Sequence, residues 1–150
     1  MVALGIKFLK ASLIFFGITI TVGAIYSLRP IRDMVMMSTY LVDFHSHLSM
    51  IGWVSIALLG IMYCYLDDKR IPYNESRGHK GFWFLVTGSF LMPIMSFLTG
   101  VIHVFMITNN VNTIRDSGPI IGLLMIAAVI TSIGAYMSIY NVYDALDNVR

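Results

Sequence analysis

The sequence predicts an all-α integral membrane protein, a bundle of four transmembrane helices, and three observations carry that expectation. The 150 residues are 57% hydrophobic and 12% charged, whereas soluble domains run at roughly 45–50% apolar and about 25% charged residues. Four stretches hold no charged residue at all: residues 11–28, 44–66, 81–108 and 119–143. Each is about as long as the roughly 17–25 helical residues that cross a bilayer core. The mean hydropathy of +0.78 agrees. The 10 Lys and Arg and 8 Asp and Glu lie between and beside these stretches and form no basic stripe, so no nucleic-acid partner is expected. The single cysteine, Cys64, excludes an internal disulfide and a Cys-rich metal site. It reads as a small buried apolar residue.

The first helix is expected over about residues 8–28. Lys7 and Lys10 ahead of an apolar run, with Val22-Gly23-Ala24 as a loose cleavage site, resemble a signal peptide. The run exceeds the roughly 7–15 residues of a signal core, so it is read as a retained helix. The second helix, about 42–66, ends at Asp67-Asp68-Lys69-Arg70, which cannot stay in hydrocarbon. A polar loop with Pro72, Asn74, Glu75, Ser76 and Arg77 leads to the third helix, about 81–108. Pro93 near its middle removes a backbone donor and is expected to bend it. Thr108-Asn109-Asn110 closes that helix, and Asp116-Ser117-Gly118-Pro119 reads as the turn into the fourth, about 118–143. No repeat or second domain interrupts residues 1–150.

Lys7, Lys10, Lys69, Arg70, Arg77, Lys80 and Arg150 fall on one side of such a bundle, against Arg29, Arg32 and Arg115 on the other. The cytoplasmic excess of Lys and Arg then places both termini inside, in a multi-pass protein of the cell (inner) membrane. Trp83, Tyr73 and Tyr143 fit an interfacial belt.

Three of the four histidines, His45, His47 and His103, fall within spans; His79 sits in the inner loop as a solvated side chain. An ionisable residue in a membrane helix is a functional candidate by default. If helices 2 and 3 fold about residue 74, residues of equal depth have numbers summing to about 148. His45 or His47 then lies level with His103, near the outer face. Residues two apart on a helix project about 200° apart, so His45 and His47 address different neighbours. Ser49 and Gly52 continue the His45 face; Met50, Ile51 and Val54 continue that of His47, with Asp43 a turn before it. Ser89, Met92, Ser96, Thr99 and Gly100 accompany His103. Such small side chains leave room for a flat cofactor, or let two helices approach closely. Two imidazoles on facing helices suit the two axial positions of a haem iron; the plainer reading is hydrogen bonding across helices, with His47 paired to Asp43.

Residues 45–63, HSHLSMIGWVSIALLGIMY, resemble the tenth transmembrane helix of subunit I of haem-copper oxidases, nearest the nitric oxide reductase and C-family oxidase branch. The resemblance rests on His45-x-His47-Leu48 and Gly52. It implies that His45 matches the ligand of the high-spin haem and His47 that of the low-spin haem. The family's subunit has many more helices and a further histidine cluster for copper or non-haem iron. This chain has only His103 besides the pair, and no Glu in a span, so one copy does not build a complete oxygen- or nitric-oxide-reducing centre.

The expectation is a short four-helix membrane cytochrome. Haem b would sit between helices 2 and 3 near the outer face, held by His103 and either His45 or His47, serving electron transfer or binding of O2 or NO. Gly52, Ser49, Ser96 and Gly100 would line the site, and Arg29, Arg32 and Arg115 would pair with the haem propionates. Met50 or Met92 is an alternative ligand. One rival is a five-coordinate haem, or copper or zinc, on His45, His47 and His103, with oxidase, reductase or sensor activity. Another is a cofactor-free accessory subunit of a respiratory complex. A homodimer is expected from exposed small residues. A quinone is a further candidate partner.

Overall fold

The computed structural model describes residues 3–109 and 118–148. It is helical, with no strand among the described residues. The elements in order are α1 (Leu4–Ser27), α2 (Arg29–Val35), α3 (Thr39–Ser46), a π-helical segment (His47–Ser55), α4 (Ile56–Asp68), α5 (Glu75–Thr108) and α6 (Gly118–Asp147). Residues Thr39–Asp68 run as one continuous rod. With Leu4–Ser27, Glu75–Thr108 and Ile121–Asp147 they make four helices long and apolar enough to cross a membrane. Leu13, Leu58, Phe105, Met125 and Ile126 are among many large apolar side chains more than half exposed. A soluble monomer rarely carries apolar patches of that extent, whereas hydrocarbon solvates them.

What is buried is narrow and well packed. The core runs through Phe8, Phe15, Ile56, Tyr63, Leu66 and Leu85. Phe8 stacks on Tyr63, centroids 5.3 Å apart, and meets the edge of Phe82 at 5.0 Å. Between α1 and the second rod, Gly52 lies under Phe15, Gly60 under Leu9, and Gly5 under Cys64. The α5–α6 seam uses the same device: Gly81 meets Ser138, Gly88 meets Thr131, and Gly134 meets the backbone of Leu85. Without a hydrophobic force between helices in lipid, such close approach is how they associate. These glycines are thereby used inside the bundle. Gly17, Gly118 and Gly122 have nothing within 4 Å among the described residues.

A polar knot fixes the end that carries the connection between α4 and α5. Asn141, buried on α6, donates from Nδ2 to the Tyr63 hydroxyl (3.0 Å) and to the Asn74 carbonyl (3.1 Å), and accepts from the Asn74 N–H (3.2 Å). The Asn74 side chain in turn accepts from the Arg77 N–H at 2.9 Å, capping α5. Arg77 pairs with Asp144 at 3.3 Å and lies 4.8 Å from the Tyr140 ring centre. Tyr73 donates to Asp67 at 3.0 Å. Burial and that carboxylate push the Tyr73 phenol above its ordinary value, which keeps it a donor.

The cap at Asn74 corrects the expected boundary of the third helix. α5 starts at Glu75, six residues before Gly81, so Glu75, Arg77, His79 and Lys80 are helical. The helix then passes through buried Pro93 without interruption. α6 also runs beyond residue 143, to Asp147. The turn expected at residues 116–119 falls largely outside the described residues.

Candidate functional site

His45, His47 and His103 lie toward the α2 end, but the register that places them differs from expectation. Pairs in contact across the second and third rods are Phe44 with Phe97, Gly100 with Leu41, Ser38 with His103, and Ser96 with His47. Their numbers sum to 141 for the first three and 143 for the last, not 148. The cause is the early start of α5: with α4 ending at Asp68 and α5 beginning at Glu75, the hairpin turns about residues 71–72. His103 is therefore opposite residues 38–40, not 45–47. Along the axis it stands roughly 8–10 Å from the level of His45 and roughly 10–14 Å from that of His47, at 1.5 Å per residue.

Each imidazole has its own neighbour. His47 Nδ1 is hydrogen-bonded to Ser96 Oγ on α5 at 3.3 Å. Its partner is thus Ser96, and not Asp43 one turn earlier. His103 Nδ1 is bonded to Ser38 Oγ at 3.1 Å, and its ring meets that of Tyr40 edge-on, 6.0 Å between centroids. No hydrogen bond reaches Nε2 of either ring among the described residues. His45 turns the other way, toward α1. A Cβ on Gly23 would meet its Cε1 at 3.2 Å, and the Tyr26 ring lies 6.1 Å away. His45 Nδ1 is buried with no hydrogen-bond partner among the described residues, as is Thr19 Oγ1 on the same helix as Gly23. The divergence of His45 and His47 is as the helical geometry requires.

The remaining expected residues divide. Ser96, Thr99 and Gly100 are buried beside the α3–α5 contact. Gly100 lies against Leu41, and Gly52 against Phe15, so both serve close helix approach. Ser49 bonds back to the Ser46 carbonyl at 3.0 Å. Arg29 and Arg32 are exposed on α2, with Arg32 3.9 Å from Asp33. Arg115 lies outside the described residues. Met50 is 61% exposed, and Met92 is half-buried.

Three features were not read from the sequence. One is the π-helical segment, which opens at His47 and continues through Ser55. Long π stretches are rare, and π turns concentrate at functional sites. Its chemical signal is Ser55, whose hydroxyl donates to the Met50 carbonyl five residues back at 2.7 Å. The second is Ser38, 1% exposed, just ahead of α3. The third is Tyr26, whose hydroxyl donates to the Leu41 carbonyl at 3.0 Å and ties α1 to α3.

As a donor set these residues suit haem iron. An imidazole with one nitrogen held and the other available is what a haem ligand needs. As a cavity they do not form a ready slot: Leu41, Phe44 and Phe97 fill the seam between the levels of His47 and His103, with Phe44 and Phe97 centroids 5.3 Å apart. No group of three His, Cys, Asp or Glu is close enough to hold a metal ion among the described residues. No family model, curated protein or solved structure matches the chain.

Proposed function

We propose that the chain is a multi-pass protein of the cell (inner) membrane, with both termini cytoplasmic, that binds haem b through His103 and a histidine of the His45/His47 pair. The observation that carries this reading is the common setting of His47 and His103. Each has Nδ1 bonded to a serine hydroxyl from another element, leaving Nε2 available. Metal-bound histidines are characteristically oriented in this way through their second nitrogen. The π-helical segment that opens at His47 supports the same location.

His47 is favoured over His45 as the partner of His103, because it faces the α3–α5 seam while His45 faces α1. Haem held by these histidines would supply a one-electron couple or a place for O2 or NO. The chain's own contribution is to fix the two rings through Ser96 and Ser38 and to surround them with apolar side chains. Loading both rings on one haem requires Leu41, Phe44 and Phe97 to move apart and the roughly 10–14 Å axial offset between His47 and His103 to close. Arg29 and Arg32 are on the short helix that ends three residues before Ser38, where they would meet propionates. Copper or zinc on the same histidines is the less favoured metal reading, since the three rings face different neighbours.

The test is iron and pyridine-haemochrome analysis of protein extracted from membranes. About one haem per chain is expected, falling in His103→Ala and His47→Ala and retained in His45→Ala. Retention in the first two variants and loss in the third would move the ligand to the α1 side. A second reading, a cofactor-free accessory subunit of a larger membrane complex, is favoured by the closed α3–α5 contact at Gly100 and Leu41. Absence of iron and copper from protein isolated with its partners would establish it over the haem reading.

A further inference from the structure

A groove at the opposite end of the bundle has a different chemistry. It is a cavity of about 380 Å³ beside the α5–α6 seam, lined by His79, Lys80, Trp83, Phe84, Thr87 and Ile130. Lys80, Trp83, Phe84 and Thr87 follow the 0, 3, 4, 7 spacing of one helical face. That face has a gradient along it: an ammonium and an imidazole at the end near the α4–α5 connection, then an indole, then an apolar wall that continues onto α6 at Ile130. From His79 to Thr87 it is about 12 Å long.

Charge at this end is unevenly compensated. Arg77 is paired with Asp144 and Lys69 with Asp68, both at 3.3 Å. Lys80 is exposed, with no carboxylate within 4.0 Å among the described residues. Trp83, 65% exposed, and Phe84, 42% exposed, stand next to it. The groove thus pairs an uncompensated cation at the interface with an apolar channel leading toward the membrane centre.

We propose that this groove is a binding site for one anionic phospholipid, its phosphate on Lys80 and His79 and an acyl chain along Trp83, Phe84, Thr87 and Ile130. Charge complementarity selects the headgroup, and the apolar wall, open on the lipid side, accepts the chain. Lys80 reaches the headgroup level by extending its stem along the groove. The proposal rests on the membrane reading above, but not on the haem.

The experiment is native mass spectrometry of the full chain released from vesicles of equal phosphatidylglycerol and phosphatidylcholine. Membrane fractionation is read first, so that failure of the membrane reading is seen separately. One retained phosphatidylglycerol is expected, favoured about fivefold over phosphatidylcholine, the selectivity of a single cation near an anionic surface. Lys80→Gln should abolish the preference. Trp83→Ala should lower retention of either lipid. Lys10→Gln, a cation on α1 away from the groove, should change neither, and circular dichroism confirms that each variant is folded. Equal retention of both lipids, or an equal effect of Lys10→Gln, would overturn the site. So would a lipid-free dimer that Lys80→Gln converts to monomer, which would assign the groove to a second copy.

Discussion

Gly100→Ala probes the seam that holds both serine–histidine pairs. A Cβ there would lie 2.6 Å from Leu41 Cγ and Cδ2 and 2.9 Å from the Leu41 backbone nitrogen. Ordinary contact begins at 3.4 Å, so relief requires 3.4 − 2.9 = 0.5 Å at the backbone and 3.4 − 2.6 = 0.8 Å at the side chain. Because the nitrogen belongs to the helix, rotation of Leu41 alone does not suffice, and α3 must withdraw from α5. Withdrawal by that amount carries the Ser38–His103 contact from 3.1 Å and the Ser96–His47 contact from 3.3 Å beyond hydrogen-bonding reach. Overpacking costs about 1–3 kcal/mol and each lost hydrogen bond about 0.5–1.5 kcal/mol. Alanine's better helix propensity returns about 1 kcal/mol. The net loss expected is about 3 kcal/mol. The assay is unfolding in mixed detergent micelles with increasing dodecyl sulfate, followed by circular dichroism, with Gly17→Ala as control. Gly17 has nothing within 4 Å among the described residues, so its alanine variant should be neutral or gain up to about 1 kcal/mol. If Gly100→Ala is as stable as the parent, or rises with the control, the packing account of the seam is refuted.

Other substitutions address separate parts of the account. Asn141→Leu should cost about 2–4 kcal/mol in the same unfolding assay, because it strips partners from buried Tyr63 and from both backbone groups of Asn74; a neutral effect would show the knot to be unimportant. Asn74→Ala removes the α5 cap and should cost about 1 kcal/mol, with faster hydrogen exchange confined to the first turn of α5; unchanged exchange there would count against the cap. In haem-free protein, His45→Leu should be neutral or stabilising, since it removes a buried nitrogen that has no hydrogen-bond partner among the described residues. A loss above about 2 kcal/mol would mean that Nδ1 has a partner, such as an ordered water.

The four long apolar helices were legible because the cost of charge in hydrocarbon leaves a strong one-dimensional pattern, and 18 charged residues in 150 draw it clearly. The opposite facing of His45 and His47 was legible too, since it follows from helical rotation alone. Their level relative to His103 was not. It depends on where α5 begins, and a single side chain, Asn74, moved that start six residues into what composition marks as a loop. The π-helical segment was hidden because Ser49, Gly52 and Ser55 serve equally well as small residues on an α-helix. Ser38, which meets His103, lies in a short polar connection where nothing in the sequence distinguishes a buried serine from an exposed one. Gly52 and Gly100, read as cofactor space, lie against Phe15 and Leu41. From sequence, room for a ligand and room for a neighbouring helix look the same.

The central claim is that His47 and His103 are available to iron, and an optical spectrum tests it most directly. Protein purified from membranes, or supplied with one equivalent of haem, is recorded oxidised and after dithionite reduction. The account predicts a Soret band with sharp α and β bands on reduction, weakened by His47→Ala and by His103→Ala but not by His45→Ala. A spectrum no different from free haem in the same detergent, in parent and variants alike, would contradict it.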